Sequence, residues 1–185
     1  VAAGLRPEER VYIVLPDVPP FAWAIFATLA AGGVVTMGNP ATPAADLATV
    51  IDYVKASIVV TTPAVADALT PHLAGAPRGG FVLTADAATD DDPEAAVTAG
   101  PALLASGRPW VAMTAAIAAG AAADRPLPRT YRDDPAIWLF TSGSTGRPKA
   151  AMHCHRDFAF NTEVYAKATM GYRADDVTVS VPRLF

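Results

Sequence analysis

Short apolar runs alternate with helix-length segments through the first half of this chain. The runs with the length and apolar content of buried strands are Arg10–Leu15, Val34–Met37, Ser57–Thr61 and Gly80–Thr84. Such continuous runs are typical of strands that are covered on both faces of a parallel sheet. The alternation predicts an α/β fold, in which a doubly wound, mostly parallel sheet carries helices on both faces.

Proline, threonine and glycine mark where the helices are expected to begin and end. The predicted helices are Pro19–Ala31, ended by Gly32-Gly33; Pro43 to about Lys55, with Thr42 as N-cap; Pro63 to about Leu73, behind Thr62; Pro109 to about Ala121, broken by Gly120; and His155 to about Met170. The first helix carries large apolar side chains around much of its circumference, so Trp23 and Phe26 are expected in the core. The second helix has an inward stripe at helical spacing, made of Leu47, Val50, Ile51 and Val54.

A stretch of small residues follows the apolar run Ala136–Phe140. It reads Thr141-Ser142-Gly143-Ser144-Thr145-Gly146-Arg147-Pro148-Lys149, and Ala150–His153 continues beyond it. We interpret it as a strand that turns through a loop and then resumes. Glycines let backbone N–H groups approach an anion, hydroxyl side chains add donors, and Lys149 supplies a mobile positive charge. The pattern therefore predicts a loop that binds polyphosphate.

The local charge agrees with this interpretation. No Asp or Glu occurs from Pro135 to Arg156, in a chain of net charge −4. A flexible connector is the alternative, but it would not need flanking strands this apolar. The loop is not a Walker A motif, because Arg147 and Pro148 separate Gly146 from Lys149.

The stretch Thr141–Lys149, continued by Ala150–Arg156, resembles the phosphate-binding signature of the adenylate-forming (AMP-binding) superfamily of acyl- and aryl-CoA ligases. The segments that resemble the benzoate–CoA ligase branch are Asp133–Phe140, Asp175-Asp176-Val177 and Arg183-Leu184-Phe185. Ala150 departs from the family, which usually has glycine after the lysine. The resemblance implies that residues 1–185 are an incomplete part of the large N-terminal domain, without the C-terminal domain.

The resemblance also implies an activity. A carboxylate, expected to be benzoate-like, would react with ATP to give an acyl-AMP, and coenzyme A would then take the acyl group. The residues implied to bind the nucleotide are Thr141, Ser142, Gly143, Ser144, Thr145, Gly146 and Lys149. Magnesium is implied near Thr141. No catalytic residue is assigned within the chain, and the fragment alone is expected to be inactive.

Other functions stay open at this stage. One alternative is a non-catalytic nucleotide-binding module that has kept the loop. Another is a different adenylate-forming enzyme, such as a fatty acyl-CoA ligase or an amino-acid adenylation domain. His153 and His155 are two residues apart and could bind zinc, although no third ligand of matching type is near and Cys154 is expected to point away. Cys154 is not favoured as a nucleophile, because thiolate catalysis needs a positioned base. The acidic run Asp90–Glu94 is expected to be a solvated loop and not a metal site.

Composition limits the remaining possibilities. A length of 185 residues predicts one domain, and the mild negative charge argues against a nucleic-acid partner. The single cysteine and the absence of a visible signal peptide predict a cytoplasmic protein. The uncharged stretch from Val18 to Ala45 is interrupted by proline and glycine, so no membrane span is expected. The first residue, Val1, and a strand-like end predict a piece of a longer ligase.

Overall fold

The computed structural model describes residues 5–73, 77, 80–84, 110–122, 126–141, 149–179 and 182–184. Two predicted features lie outside the described residues, namely the loop residues Ser142–Pro148 and the acidic run Asp90–Glu94. Among the described helices, none combines the length and the apolar character that crossing a bilayer requires.

The described strands and helices follow one another in the predicted alternation. The strands are Arg10–Val14 (β1), Val34–Met37 (β2), Ile58–Thr61 (β3), Phe81–Leu83 (β4), Trp110–Ala112 (β5), Pro135–Thr141 (β6) and Lys149–Cys154 (β7). The α-helices are Pro19–Ala30 (α1), Ala44–Val54 (α2), Pro63–Leu69 (α3), Met113–Ala122 (α4) and His155–Phe160 (α5). A 3₁₀ turn at Thr70–His72 extends α3, and a π-helix at Asn161–Thr169 extends α5.

The described strands form one seven-stranded sheet in the order β5-β4-β3-β1-β2-β6-β7. Every neighbouring pair is parallel except β6 and β7, which are antiparallel. Helices α2 and α3 bury one face of the sheet, where Leu47 and Leu69 pack near Tyr12. Helices α1 and α4 lie on the other face, where Phe21 and Met113 share a core with strand residues. The doubly wound α/β prediction is therefore confirmed.

Helix α2 has the predicted stripe but not the predicted cap. Leu47, Ile51 and Val54 are buried, and Val50 packs against the same cluster. The prediction that Thr42 is the N-cap is wrong. Pro43 is the N-cap, and no side chain makes a capping hydrogen bond to the first turn. The reason is a turn just upstream, in which the Thr42 N–H donates to the Asn39 carbonyl at 3.0 Å.

Two further expectations are corrected. Trp23 and Phe26 are 45% and 70% exposed, because α1 buries a single side through Phe21, Ala24 and Thr28. The helix predicted from Pro109 begins only at Met113, since Trp110–Ala112 pairs with β4 as a short strand. Gly120 does not end this helix, which continues to Ala122.

Candidate functional site

Strands β6 and β7 form an antiparallel hairpin on either side of the glycine-rich loop. Thr141 at the end of β6 lies opposite Lys149 at the start of β7, and Leu139 lies opposite Ala151. The predicted strand–loop–strand arrangement is thus present at both ends of the loop. The phosphate contacts predicted for Ser142, Gly143, Ser144, Thr145 and Gly146 stay predictions, because these residues lie outside the described part of the chain.

Thr141 and Lys149 share one face of the hairpin. Directly opposed residues of an antiparallel pair project to the same side, with Cβ atoms about 4.5–5.5 Å apart. Ile137 on β6 packs in the core of the α1 face, and alternation places Thr141 on that same face. Both Thr141 and Lys149 are exposed. We call Thr141 and Lys149 the tip of the hairpin. The tip therefore presents a hydroxyl and an ammonium side by side.

Lys149 differs from the other lysines in its charge environment. The chain has three lysines, Lys55, Lys149 and Lys167. Lys55 pairs with Asp52 at 2.8 Å and Lys167 with Glu163 at 2.6 Å. Within the described residues, Lys149 makes no ion pair. Its ammonium is therefore available to an anionic ligand.

The carboxylates nearest to the loop in sequence lie at the far end of the hairpin. Pro135 and Cys154 are paired there, next to Asp134 on one side and close to Asp157 on the other. Six residue-to-residue steps along β6, from Pro135 to Thr141, separate this base from the tip, which is about 20 Å at the usual rise. The positive charge at the tip is therefore not neutralised by these groups.

The tip also lies at the carboxyl edge of the parallel strands. β6 runs parallel to β2 and β1, so Thr141 ends at the same edge as Met37 and Val14. Helices α1 and α2, which follow β1 and β2, cover opposite faces of the sheet. Open α/β sheets bind ligands outside the carboxyl ends of their strands. The hairpin tip lies at this carboxyl edge, next to β2.

The model of the AMP-binding enzyme family matches residues 1–185, the whole chain. The chain belongs to the AMP-binding enzyme family. The resemblance noted from the loop and its flanks is thereby confirmed.

Several relatives of this AMP-binding chain act on aromatic acids according to their names. It is 29% identical to the benzoate–CoA ligase of Thauera aromatica over 98% of the chain and 31% of that protein. It is 31% identical to the anthranilate–CoA ligase of Pseudomonas aeruginosa over 100% of the chain and 32% of that protein. The chain therefore spans about a third of the length of these relatives.

Solved structures have the same fold. A benzoate CoA ligase from Burkholderia xenovorans LB400 superposes with a TM-score of 0.62 and 24% identity, over 95% of this chain and 30% of that one. MatB from Rhodopseudomonas palustris superposes with a TM-score of 0.61 and 26% identity, over 90% and 28% of the two chains. The fold assigned from the sequence is thus that of adenylate-forming enzymes.

Thr141 is the residue of the AMP-binding chain that is predicted to lie near magnesium. Mg²⁺ prefers oxygen ligands and usually keeps several waters beside substrate phosphates. The Thr141 hydroxyl is exposed at the tip and fits as one such ligand. Across the described ranges, no three His, Cys, Asp or Glu side chains converge in a way that would hold a metal ion.

The histidines after the loop have separate positions. His153 lies on β7, whereas His155 begins α5, so they do not share one extended segment. Nδ1 of His153 is 3.4 Å from Oδ2 of Asp157. The half-buried Cys154 has a free thiol and donates its backbone N–H to Asp157 at 2.9 Å. These contacts connect the strand to the helix.

Sequence reasoning missed the contact between Asp133 and Arg156 at the base of the hairpin. A signal for it was present, because the two residues stand at nearly equal distances from the loop ends. Asp133 precedes Thr141 by eight residues, and Arg156 follows Lys149 by seven. In a hairpin, such positions come together.

Proposed function

We propose that this chain is the phosphate-binding part of an ATP-dependent aryl-CoA ligase. The observation that carries the proposal is the pair at the hairpin tip. Lys149 lies opposite Thr141 at the carboxyl edge of the sheet, and no described carboxylate neutralises it. Membership of the AMP-binding enzyme family supports ATP as the ligand of this tip.

The reaction has two steps. The carboxylate of an organic acid attacks the α-phosphorus of ATP, which forms an acyl-AMP and releases pyrophosphate. The thiol of coenzyme A then attacks the acyl carbon, which forms a thioester and releases AMP. Lys149 and the loop hold the β- and γ-phosphates and stabilise the charge that develops on pyrophosphate as it leaves. Thr141 would hold a magnesium ion through its hydroxyl, and the ion would supply further charge neutralisation at the phosphates.

The proposed acid is aromatic and benzoate-like. The named substrates of two relatives, benzoate and anthranilate, support this choice. An amino-acid adenylating activity is a second candidate, because over 84% of its length this chain is 32% identical to the phosphinothricin tripeptide synthetase PhsC of Streptomyces viridochromogenes. We further propose a cytoplasmic location, which the single cysteine supports.

The test is ATP–pyrophosphate exchange by the protein at its full encoded length. Benzoate, anthranilate, a fatty acid and a set of amino acids are supplied separately. Exchange that depends on benzoate or anthranilate supports the proposal. Exchange that depends only on an amino acid supports the second candidate, and no exchange with any acid contradicts both.

A lysine variant connects the activity to the hairpin. Lys149→Ala is expected to slow exchange by about ten- to a hundredfold, the value of one hydrogen bond to a charged group. Lys55→Ala is the matched control, because Lys55 is exposed but already paired with Asp52. Equal losses in the two variants would contradict the role given to Lys149.

A further inference from the structure

β7 is the strand that carries Lys149, and its antiparallel register with β6 places Lys149 opposite Thr141. In a hairpin the register depends on the loop that joins the two strands. Contacts that join the two strands at the other end of the hairpin act on the same register.

Register matters at the tip of this hairpin. A slip of one residue moves every side chain of a strand to the opposite face. Lys149 would then leave the face that it shares with Thr141. The strand pairing also contains an irregularity between Pro135 and Ile137, next to the base of the hairpin.

Backbone hydrogen bonds join the two segments that flank the hairpin. The N–H of Arg156 donates to the Arg132 carbonyl at 2.9 Å, and the N–H of His155 donates to the Asp134 carbonyl at 3.2 Å. The turn before β6 is itself closed, because the Tyr131 N–H donates to the Asp134 carboxylate at 2.8 Å. The start of α5 is thus attached directly to the turn that begins the hairpin.

Side chains reinforce the same connection. The Arg156 guanidinium donates to the Asp133 carboxylate, and Asp157 accepts the Cys154 N–H while it faces His153. We call Asp133, Arg156 and Asp157 the basal clamp. Its members come from both sides of the hairpin, so the clamp opposes any sliding of β7 along β6.

We propose that Asp133 and Arg156 are positioning residues that fix the β6–β7 register and thereby hold Lys149 opposite Thr141 for phosphate binding. The proposal rests on the proposed function, since it assumes that the tip binds the ATP phosphates. The two residues act at the base, about 20 Å from the tip along the strands, and do not touch the ligand. Asp157 supports them by holding the first residues of α5.

The experiment measures ATP affinity by titration calorimetry in the protein at its full encoded length. Asp133→Ala and Arg156→Ala are each expected to raise the Kd for ATP by about three- to tenfold, the range for residues that act through others. Arg156→Lys keeps a positive charge beside Asp133 and Asp157 and is expected to recover most of the affinity that Arg156→Ala loses.

A matched ion pair provides the control. Glu163 and Lys167 are 64% and 57% exposed, close to the 63% and 51% of Asp133 and Arg156. This pair lies within the π-helix and does not span the hairpin. Lys167→Ala is therefore expected to leave the Kd for ATP unchanged. An equal rise in Kd for Lys167→Ala would overturn the proposal.

Hydrogen exchange separates positioning from simple folding. Arg156→Ala is expected to speed amide exchange in β6 and β7 but not in β1–β3. Faster exchange with an unchanged Kd would show that the clamp stabilises the hairpin without positioning Lys149, and would overturn the proposal. If ATP binds and responds to the variants while no acid supports pyrophosphate exchange, the ligase function fails but the clamp stands. If the unmodified protein binds no ATP, both fail.

Discussion

The guanidinium of Arg10 lies over the indole ring of Trp138, with its Cζ 5.7 Å from the ring centroid. Arg10 begins β1, whereas Trp138 is in the middle of β6. The same guanidinium donates to the Val54 carbonyl at 2.6 Å and to the Lys55 carbonyl at 3.3 Å. One side chain therefore joins the C-terminal end of α2 to the strand that leads into the loop.

Arg10→Ala is expected to lower the free energy of unfolding by about 2 kcal/mol, because it removes hydrogen bonds to carbonyls at a helix end together with the ring contact. Urea unfolding measures the loss. Arg129 is the control, since it lies over Tyr131 at 5.2 Å but both residues are exposed. Arg129→Ala is expected to change stability by no more than about 0.5 kcal/mol. Similar losses in both variants would contradict the structural role of Arg10.

Gly38 at the end of β2 has no room for a side chain. A Cβ there would stand 2.6 Å from Cζ of Tyr12, and closer still to the phenol oxygen. Gly38→Ala is therefore expected to cost about 1–3 kcal/mol in thermal or urea unfolding. Gly120→Ala is the matched substitution, because its Cβ meets nothing within 4 Å in α4. It is expected to stabilise the helix by up to about 1 kcal/mol.

Burial raises the pKa of the Tyr12 phenol above its ordinary value of 10.0. The unfolded chain therefore loses this proton at a lower pH than the folded chain does. The contribution of Tyr12 to stability is complete below about pH 10 and declines as the pH rises further. Tyr12→Phe lacks the titrating group. Its free energy of unfolding is therefore expected to fall less steeply than that of the unmodified protein between about pH 9 and about pH 11, roughly one unit on either side of the ordinary tyrosine pKa. Parallel pH curves for the two proteins would contradict this.

The central strands were predictable because their environment is uniform. β1, β2 and β3 are buried on both faces, so their continuous apolar runs in the sequence set their limits to within about one residue. β5 was missed for the opposite reason. Its three residues become a strand by pairing with β4, a long-range contact that no local pattern records. The exposure of Trp23 likewise follows from how α1 is placed against the sheet.

The candidate site likewise has one part that the sequence predicted and one part that it did not. The residues predicted to bind phosphate follow one another in the sequence, so a phosphate-binding loop could be predicted from the sequence alone. The family match supports that prediction. The partnership of Asp133 with Arg156 depends on the pairing of two strands and becomes visible only once their register is known. Lys149 shows both aspects, because its charge is evident from the sequence but its lack of a described ion-pair partner is a structural finding.

Selective acetylation tests whether Lys149 is the lysine that meets ATP. An amine-reactive acetylating reagent modifies exposed lysines, and mass spectrometry measures the rate at each of the three. At an ATP concentration ten times the Kd, Lys149 is expected to react about tenfold more slowly, because only the free protein exposes its ammonium. Lys55 and Lys167 are internal controls, since their carboxylate partners are present with or without nucleotide. Protection of all three would indicate a general change in structure, whereas protection of none would remove Lys149 from the nucleotide site.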